Sequence, residues 1–395
     1  MNIPRRRGHR HALSALLIVL ALAGCAPAGT TTALARPGTA TAPPPAAAVT
    51  PSTTPTALAQ APASASPSGA TSRCPEQATP PSAVPTVASA ASPAAGLPAA
   101  GRVIAAIPVG RGPVDYPAAG AGAIWIPNRG DGTISRLDPQ TNQVAATICV
   151  GGNGGAADGS DFAVAVAGQS VWATRYTGGE RSVVRLAPAT NQIAATFPVD
   201  VLPFALAAGD DSLWLTSFGD DALERLDPQS GRVVARLAVD KPTAVAVGAG
   251  AVWVVLHRHS QVARIDPATN QIVATIAVGD QPEQLTVGEG GVWVSSPGDR
   301  SVWRLDPQTN QVAATIPVAP GPFGVAAGGG AVWVVSLGGA ANRYVATLSR
   351  IDPATNQVAG VSALRPGARS VTLAAGAAWV TSSAGDLDLV ERIAP

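Results

Sequence analysis

Residues 242–278 contain four short segments rich in Val and Ile: Pro242-Thr-Ala-Val-Ala-Val-Gly248, Ala251-Val-Trp-Val-Val255, Gln261-Val-Ala-Arg-Ile265 and Gln271-Ile-Val-Ala-Thr-Ile-Ala-Val278. Short runs of β-branched residues favour strands. The first two segments are separated by Gly248-Ala-Gly250, which suits a tight hairpin because glycine takes positive φ without a Cβ clash. The last two are separated by Asp266-Pro-Ala-Thr-Asn270, in which proline presets φ and the Asp and Asn side chains can bond backbone amides. The stretch therefore predicts one four-stranded antiparallel sheet.

The tryptophan of the second segment recurs along the chain. Seven tryptophans lie in such apolar segments, at spacings of 47, 42, 39, 40, 40 and 46 residues: Trp125, Trp172, Trp214, Trp253, Trp293, Trp333 and Trp379. A repeat of about 40 residues that holds four strands is typical of the blades of a β-propeller. The sequence therefore predicts an all-β fold, a seven-bladed β-propeller.

The two ends of the array complement each other. The first recognisable strand, Arg102–Val109, matches the fourth segment of the repeat, and the last, Leu389–Ile393, matches the third. One outer strand at the start and three strands at the end make one complete blade, so we expect the N-terminal strand to close the ring. Fourth strands are predicted to start near Arg102, Gln143, Gln192, Arg232, Gln271, Gln311 and Gln357.

Proline and aspartate have fixed places in the repeat. Pro108, Pro198 and Pro317 lie in fourth strands, which predicts that this strand is the outer edge of its blade, because proline cannot donate to a ladder. An acidic residue opens the turn before the fourth strand in five repeats, at Asp138, Asp227, Asp266, Asp306 and Asp352. We interpret these aspartates as turn residues rather than catalytic or calcium-binding residues, since each belongs to a different blade.

The region before the repeats has a different composition. Residues 1–24 combine four arginines with the apolar run Ala12–Leu22, and Leu22-Ala23-Gly24 precedes Cys25. This is similar to a bacterial lipoprotein signal, which implies cleavage before Cys25 and lipidation of that cysteine. Residues 25–100 are rich in Pro, Ala, Ser and Thr, so we expect a disordered tether, and residues 101–395 form the predicted propeller. We therefore expect an extracytoplasmic protein that is lipid-anchored to the cell membrane, at the cell surface or in the periplasm.

The other two cysteines are Cys74 in the tether and Cys149 near the end of a fourth strand. An oxidising exterior permits a disulfide between them, but their spacing is equally consistent with two unrelated thiols.

Charge and motifs restrict the classes of partner. The net charge is +1 for the full chain and −3 without the four arginines of residues 1–24. A nucleic-acid partner would favour a basic face, so we expect no nucleic-acid partner.

No nucleophile elbow and no phosphate-binding loop occurs in the sequence. We expect a monomer without a cofactor whose ligand is a protein, a peptide, a glycan or a small molecule.

Strand direction alternates within a blade, so the connections fall on two faces. The turn face carries the Gly hairpins and the Asp-Pro turns, whereas the loop face carries the variable connections between second and third strands and between blades. Exposed variable loops often carry binding residues. The ligand-binding candidates on the loop face are Asp115, Tyr116, Arg175, Tyr176, Phe204, Phe218, His257, Arg258, His259, Glu283, Phe323, Arg343, Tyr344 and Arg369.

The mouth of the central channel is predicted to be lined by Asp115, Phe204, Thr243, Glu283, Phe323 and Arg369, with Phe162 less certain because its blade is one residue shorter. Because the chain ends of the array fall on the turn face, we expect the loop face to point away from the membrane.

His257 and His259 are the only histidines after residue 24. On an extended segment their side chains would share a face, but two ligands are too few for a metal site. Glu283 as a third residue would complete a catalytic set of His257, His259 and Glu283. The alternative is an exposed hairpin.

The repeat unit Gly-Ala-Val-Trp-Val, followed by Val-x-Arg-Ile-Asp-Pro-x-Thr-Asn-Gln-Val-x-Ala-Thr-Ile-x-Val-Gly, resembles the YVTN-type propeller repeats of bacterial surface and secreted proteins over about residues 101–395. The resemblance implies the architecture, while most members of that group lack a defined chemistry. A related group, the streptogramin B (virginiamycin B) lyases, has seven such blades and uses a metal with His and Glu on the channel face to open a cyclic depsipeptide by elimination. Its repeats read Leu-Trp-Phe-Thr-Glu, whereas none of the seven repeats here has Glu after the tryptophan. We therefore expect a binding or interaction module, with a lyase or lactonase that uses a divalent metal as the alternative.

Overall fold

The computed structural model describes Cys74 and residues 97–113, 116–151, 161–209, 211–338, 345–384 and 387–395. Within these ranges the chain forms seven four-stranded antiparallel sheets. The predicted seven-bladed β-propeller is confirmed. None of the described segments forms a helix with the length and apolar character needed to cross a bilayer.

Each blade runs from an inner strand at the channel to an outer edge strand. The first blade consists of β2 (Ala118–Gly120), β3 (Ala123–Asn128), β4 (Thr133–Asp138) and β5 (Gln143–Cys149). The second consists of β6 (Val164–Ala167), β7 (Ser170–Thr177), β8 (Glu180–Ala187) and β9 (Gln192–Pro198). The third consists of β10 (Leu206–Ala208), β11 (Leu213–Ser217), β12 (Ala222–Leu226) and β13 (Val233–Ala238). The fourth and fifth consist of β14 (Pro242–Gly248), β15 (Ala251–Leu256), β16 (Gln261–Asp266) and β17 (Gln271–Ala277), then β18 (Leu285–Gly288), β19 (Gly291–Ser296), β20 (Ser301–Asp306) and β21 (Gln311–Pro317). The sixth consists of β22 (Pro322–Gly328), β23 (Ala331–Ser336), β24 (Thr347–Asp352) and β25 (Gln357–Ala363).

The seventh blade joins the two ends of the array. It consists of β26 (Ala368–Ala374), β27 (Ala377–Ala384), β28 (Leu387–Ala394) and, as its outer strand, β1 (Arg102–Pro108). β1 pairs with β28 from Arg102 opposite Ala394 to Pro108 opposite Leu389. The N-terminal strand therefore closes the ring, as the complementary ends of the repeat predict.

The predicted fourth strands are also in place. They begin at Arg102, Gln143, Gln192, Val233, Gln271, Gln311 and Gln357, within one residue of each prediction. The three strands that contain the edge prolines, β1, β9 and β21, are outermost in their blades. A missing N–H therefore costs no ladder bond at these positions.

Seven buried clusters hold neighbouring blades together, and each contains one repeat tryptophan. Trp125 packs with Val164, Val171 and Leu186 of the second blade, and Trp379 packs with Ile124 and Leu137 of the first. All seven indoles are at most 4% exposed. Because a buried aromatic side chain removes 150–250 Å² from water, these contacts supply a large part of the attraction between blades.

An arginine on each third strand stacks on the tryptophan of its own blade. The guanidinium carbons lie 5.0–5.8 Å from the indole centroids, for Arg136, Arg185, Arg225, Arg264, Arg304, Arg350 and Arg392. In five blades the same guanidinium also bonds the proline-containing turn of the next blade. Arg304 Nη1, for example, donates to Pro353 O at 2.6 Å and to Asn356 Oδ1 at 2.8 Å. The arginine is therefore a bridge between a tryptophan and the following blade.

The bridge crosses the ring junction but is lost at two other blade interfaces. Arg392 of the last blade bonds Pro139 O and Asn142 Oδ1 of the first. In the third blade Gly231 replaces the asparagine, so Arg185 has no amide acceptor there. In the last blade the chain breaks between β28 and β1, so Arg350 stacks on Trp333 without a continuous turn beyond it.

The turn aspartates have the predicted structural role. Asp138 Oδ1 accepts the N–H groups of Gln140 at 2.7 Å and Thr141 at 3.4 Å. The backbone bond from Gln140 holds the pKa of Asp138 below its usual range, and equivalent amide bonds do the same in the other four turns. The turn asparagines take the left-handed conformation, as Asn310 does at φ 58°. This conformation is accessible to Asn at low cost and presents its amide oxygen to the arginine.

Replacing Arg304 by Met keeps an apolar chain over Trp293 but removes both bonds to the sixth blade. Hydrogen bonds from charged groups contribute about 1.5–3 kcal/mol, so Arg304→Met should lower the free energy of unfolding by about that amount. Thermal denaturation of Arg304→Met and of wild type measures this loss. Arg350→Met is the matched control, because its guanidinium stacks on tryptophan without a bond to a following turn, and it should cost clearly less. Equal losses in both variants would show that the inter-blade bonds contribute nothing.

Candidate functional site

The loop face brings half-buried aromatic side chains from three blades together beside the channel mouth. Phe204 precedes inner strand β10, Phe218 follows β11, and His257 opens a short 3-10 turn, His257–His259, after β15. The row begins with Tyr116, which precedes β2. We call Tyr116, Phe204, Phe218 and His257 the aromatic row.

Tyr116 reaches from the first blade across the second toward the fourth. Its backbone carbonyl accepts the N–H of Val164 in the second blade at 3.2 Å. Its hydroxyl donates to Thr243 O of the fourth blade at 2.9 Å, and its ring packs against the buried clusters on both sides of the third blade. Thr243 in turn donates its hydroxyl to Glu283 O at 3.1 Å. The phenol is therefore fixed over the mouth by a hydrogen bond to a partner 127 positions away in sequence.

Successive rings of the row meet edge-on or at a tilt. The centroid distances are 6.3 Å from Tyr116 to Phe204, 5.8 Å from Phe204 to Phe218 and 6.5 Å from Phe218 to His257. Edge-to-face and offset contacts at such distances are favourable for aromatic pairs. The row is therefore an ordered surface and not a set of independent loop residues.

A lysine anchors the centre of the row. Lys241 Nζ lies 5.2 Å from the centroid of Phe218, donates to Phe218 O at 3.0 Å and pairs with Asp221 Oδ1 at 2.9 Å. These bonds from Lys241 lower the pKa of the Asp221 carboxyl. The candidate residues named from the sequence do not include Lys241, although it stands out there as the single lysine of the chain.

The histidines and Glu283 do not form the three-residue set considered from the sequence. His257 Nδ1 lies 2.9 Å from Pro282 O and 3.8 Å from Glu283 Oε1, whereas His259 Nε2 faces Asp240 Oδ2 at 3.0 Å. Arg258 Nε also faces Asp240, at 3.9 Å. Because a carbonyl can only accept, Nδ1 of His257 carries the proton, and its Nε2 is the nitrogen left for another partner. Among the residues that the structure describes, no group of three or more His, Cys, Asp or Glu side chains could hold a metal ion.

The opposite side of the mouth carries a second cation–aromatic pair. Arg369, exposed on inner strand β26, lies with its guanidinium carbon 4.3 Å from the centroid of Phe323, which is half-buried on β22. This pair links the sixth and seventh blades at the positions predicted for the mouth.

Other candidates lie elsewhere or outside the described ranges. Arg175 and Tyr176 belong to β7 in the second blade, opposite Ser182 and Arg181. Phe162 is fully buried with Trp125 between the first two blades, because its shorter blade turns the side chain into the core. Cys25, Asp115, Arg343 and Tyr344 lie outside the residues that the structure describes.

Two buried carboxylates lie on third strands, away from the row. Burial raises the pKa of Glu224 on β12 and of Glu391 on β28. Glu391 pairs with Arg365 Nε at 3.0 Å, whereas Glu224 has only Arg236 at 3.6 Å, on a side chain that is half exposed. Both glutamates are therefore costly to keep charged, and Glu224 is the less well compensated of the two.

The fold is shared by several solved structures at low sequence identity. A structure of streptogramin B lyase matches with a TM-score of 0.57 and 17% identity, over 72% of this chain and 93% of that one. The structure of U3-55K matches with a TM-score of 0.58 and 14% identity, over 76% and 100%. BamB from Moraxella catarrhalis matches with a TM-score of 0.52 and 13% identity, over 74% and 97%. The chain spans only 56% of the length of a Kuenenia stuttgartiensis hydrazine synthase chain, at a TM-score of 0.43 and 18% identity.

Sequence comparison adds no closer relative: no family model and no curated protein matches the chain. At these identities the structural matches establish the propeller fold and nothing about the site.

Replacing Glu224 by Gln should change the pH dependence of stability. Its pKa in the folded protein is raised above the ordinary 4.5, so the folded state binds this proton more tightly than the unfolded chain does. The free energy of unfolding then falls as the pH rises from about 4.5 through the raised pKa, and the whole penalty is present above it.

Glu224→Gln should therefore be stabilised relative to wild type at pH 7, and the difference should shrink as the pH is lowered toward 4.5. Urea denaturation at a series of pH values gives this difference directly. Glu180→Gln, at an exposed position, is the matched control for the charge change. A difference that grows on acidification would contradict the assignment.

Proposed function

We propose that the protein is an extracytoplasmic binding module, anchored through Cys25, that takes its ligand at the aromatic row on the loop face of the propeller. The observation that supports the site is the set of contacts that hold the row: Tyr116 to Thr243, ring to ring through Phe218, and Lys241 over its centre. A surface that is apolar, half-exposed and fixed before binding loses little conformational entropy when a ligand arrives.

The chemistry of the row favours a ligand with a flat apolar face, such as a sugar ring or an aromatic side chain of a peptide. Ring edges and faces of Phe204 and Phe218 can stack on such a group. Glu283, beside His257 at the end of the row, supplies an acceptor for a hydroxyl or an N–H.

The alternative is metal-dependent lyase or lactonase activity. The observation that favours it is the approach of His257 to Glu283, 3.8 Å apart, on the channel side of a fold that streptogramin B lyase also has. A metal bound between them through Nδ1 would have to displace the bond from His257 to Pro282 O. We therefore place this activity second.

A binding screen tests the site. Glycans and peptides are screened by thermal shift on residues 26–395, and the dissociation constant of each hit is then measured by calorimetry. Phe218→Ala should weaken binding about tenfold, which corresponds to about 1.4 kcal/mol, because one stacking surface is lost. Val273→Ala, exposed on outer strand β17 far from the row, is the control and should leave binding unchanged.

The same screen separates the two functions when Mg, Ca, Mn and Zn ions are included. A metal at 100 times its dissociation constant stabilises the folded state by about 2.7 kcal/mol. A saturable shift that disappears in both His257→Ala and Glu283→Ala would favour the lyase alternative. Hits that bind equally well to wild type and Phe218→Ala would exclude the row as their site.

The anchor is tested by fractionation of expressing cells. Wild-type protein should sediment with membranes, and Cys25→Ser should move to the soluble fraction, because a thioether-linked lipid cannot form on serine. Cys74→Ser is the matched control and should stay with the membranes. Membrane association of Cys25→Ser would show that another part of the chain provides the attachment.

A further inference from the structure

The two cysteines that follow Cys25 are joined. Cys74 and Cys149 form a disulfide with Cα atoms 5.8 Å apart, across 75 positions of sequence. Cys149 is the last residue of β5, the outer strand of the first blade, and therefore lies at the loop face. Cys74 Sγ is also 3.8 Å from Gly132 O on the β3–β4 hairpin. The chain is thus fixed at Cys74 to the loop-face rim of the first blade, although the ends of the repeat array fall on the turn face.

The chain just before β1 is fixed at another place. Pro98 O accepts the N–H of Val361 at 2.9 Å, and Ser362 Oγ donates to Gly101 O at 2.9 Å. Ala100 is 2% exposed in the cluster between the sixth and seventh blades, together with Trp333. Residues 98–101 therefore lie in the groove between these blades, and β1 then continues along the edge of the seventh.

The chain just after β1 returns to the same hairpin that holds Cys74. Arg111 N donates to Asp131 Oδ2 at 2.8 Å, and Gly130 N donates to Arg111 O at 2.8 Å. Cys74, before β1, and Arg111, after it, are thus both attached to the first blade between Asn128 and Cys149. The strand that closes the ring lies inside a covalently bounded loop.

We propose that the Cys74–Cys149 disulfide keeps β1 paired with β28, where the two ends of the repeat array meet. We call the β1–β28 pairing the seam of the propeller and the disulfide its latch. The seam itself holds by non-covalent contacts, which are main-chain pairing, side-chain packing and the bonds of Arg392 to the first blade. It is therefore the place where the ring can open without breaking a covalent bond of the repeat array. In the disulfide-bonded protein, β1 can leave β28 only as part of a closed loop of about 40 residues, from Cys74 to Arg111.

The chain entropy of the open state differs between the protein with the disulfide and the protein without it. When β1 detaches from a chain without the disulfide, the released N-terminal segment becomes a free tail with all the conformations of an unfolded chain. With the disulfide in place the same segment has both ends attached to the first blade, so the open state gains less entropy. The disulfide therefore disfavours opening of the seam, and it needs an oxidising compartment, in agreement with an exported protein.

Hydrogen exchange measured by mass spectrometry on residues 26–395 tests the latch. Three forms are compared: the oxidised wild type, the Cys74→Ser/Cys149→Ser double variant, and wild type reduced with dithiothreitol. Reduction transfers two electrons and two protons to the disulfide, yields two thiols, and oxidises dithiothreitol to its cyclic disulfide. Adding dithiothreitol to the double variant controls for other effects of the reagent and should change nothing.

Without the disulfide, peptides that cover residues 97–108 and 387–394 should exchange at least tenfold faster, while the outer strand of the fourth blade, 271–277, should keep its rate. The melting temperature should fall by about 5–8 °C, the size expected for the loop of 75 positions that the disulfide closes in the unfolded chain, in a domain of this size. Unchanged exchange at the seam would overturn the proposal, whatever the melting temperature does. Faster exchange confined to β4 and β5 would also overturn it, because the disulfide would then stabilise the first blade and not the seam. Exchange that becomes faster by the same factor in all blades would do so too, because the disulfide would then stabilise the whole fold.

Discussion

The contact on which the ring depends is the one between each repeat tryptophan, the arginine stacked on it and the next blade. The indole contributes apolar area to the interface between blades, and the guanidinium covers its open face. The remaining N–H groups of the arginine then bond the carbonyl and amide oxygens of the following Asp-Pro turn, as Arg225 does with Pro267 and Asn270. A single blade has no neighbour to complete this arrangement, so the tryptophan of one repeat is buried only when the next repeat is present. Closure of the ring follows from the same need, since Trp379 finds its partner side chains in the first blade.

Because the arginine bonds between blades lie on the turn face, the loop face is available for function. The turn face is used by the Gly hairpins and by the turns that bind arginine, so substitutions there disturb the connection between blades. Among the described residues the loop face has no counterpart of these arginine bonds between blades, and its connections can vary in sequence without loss of the ring. The aromatic row uses that freedom: Tyr116 crosses from the first blade to a carbonyl of the fourth, and Lys241 joins the third and fourth blades over Phe218. The order of this face comes from specific side chains and not from the repeat.

The disulfide and the aromatic row both lie at the loop face. Residues 110–112 pass over the β3–β4 hairpin shortly before the chain reaches Tyr116, and the disulfide holds the chain at Gly132 of that hairpin. The chain segment between β1 and Tyr116 is thus held at the same hairpin as the disulfide.

The sequence by itself determined the number of blades, the order of strands and the means of closure, because these follow from a period of about 40 residues and from complementary ends. It also predicted the edge position of the proline strands and the role of the turn aspartates, since both depend on local backbone chemistry. Only the tertiary structure decided which residues meet across the channel. Tyr116 and Thr243, 127 positions apart, lie in different repeats, and nothing in either repeat specifies the distance between them in the ring. The structure also separated His259 from His257 and Glu283, because a 3-10 turn replaces the extended segment that would have aligned the two histidines. Local patterns thus fix what each blade is, and the geometry of the closed ring decides which side chains share a site.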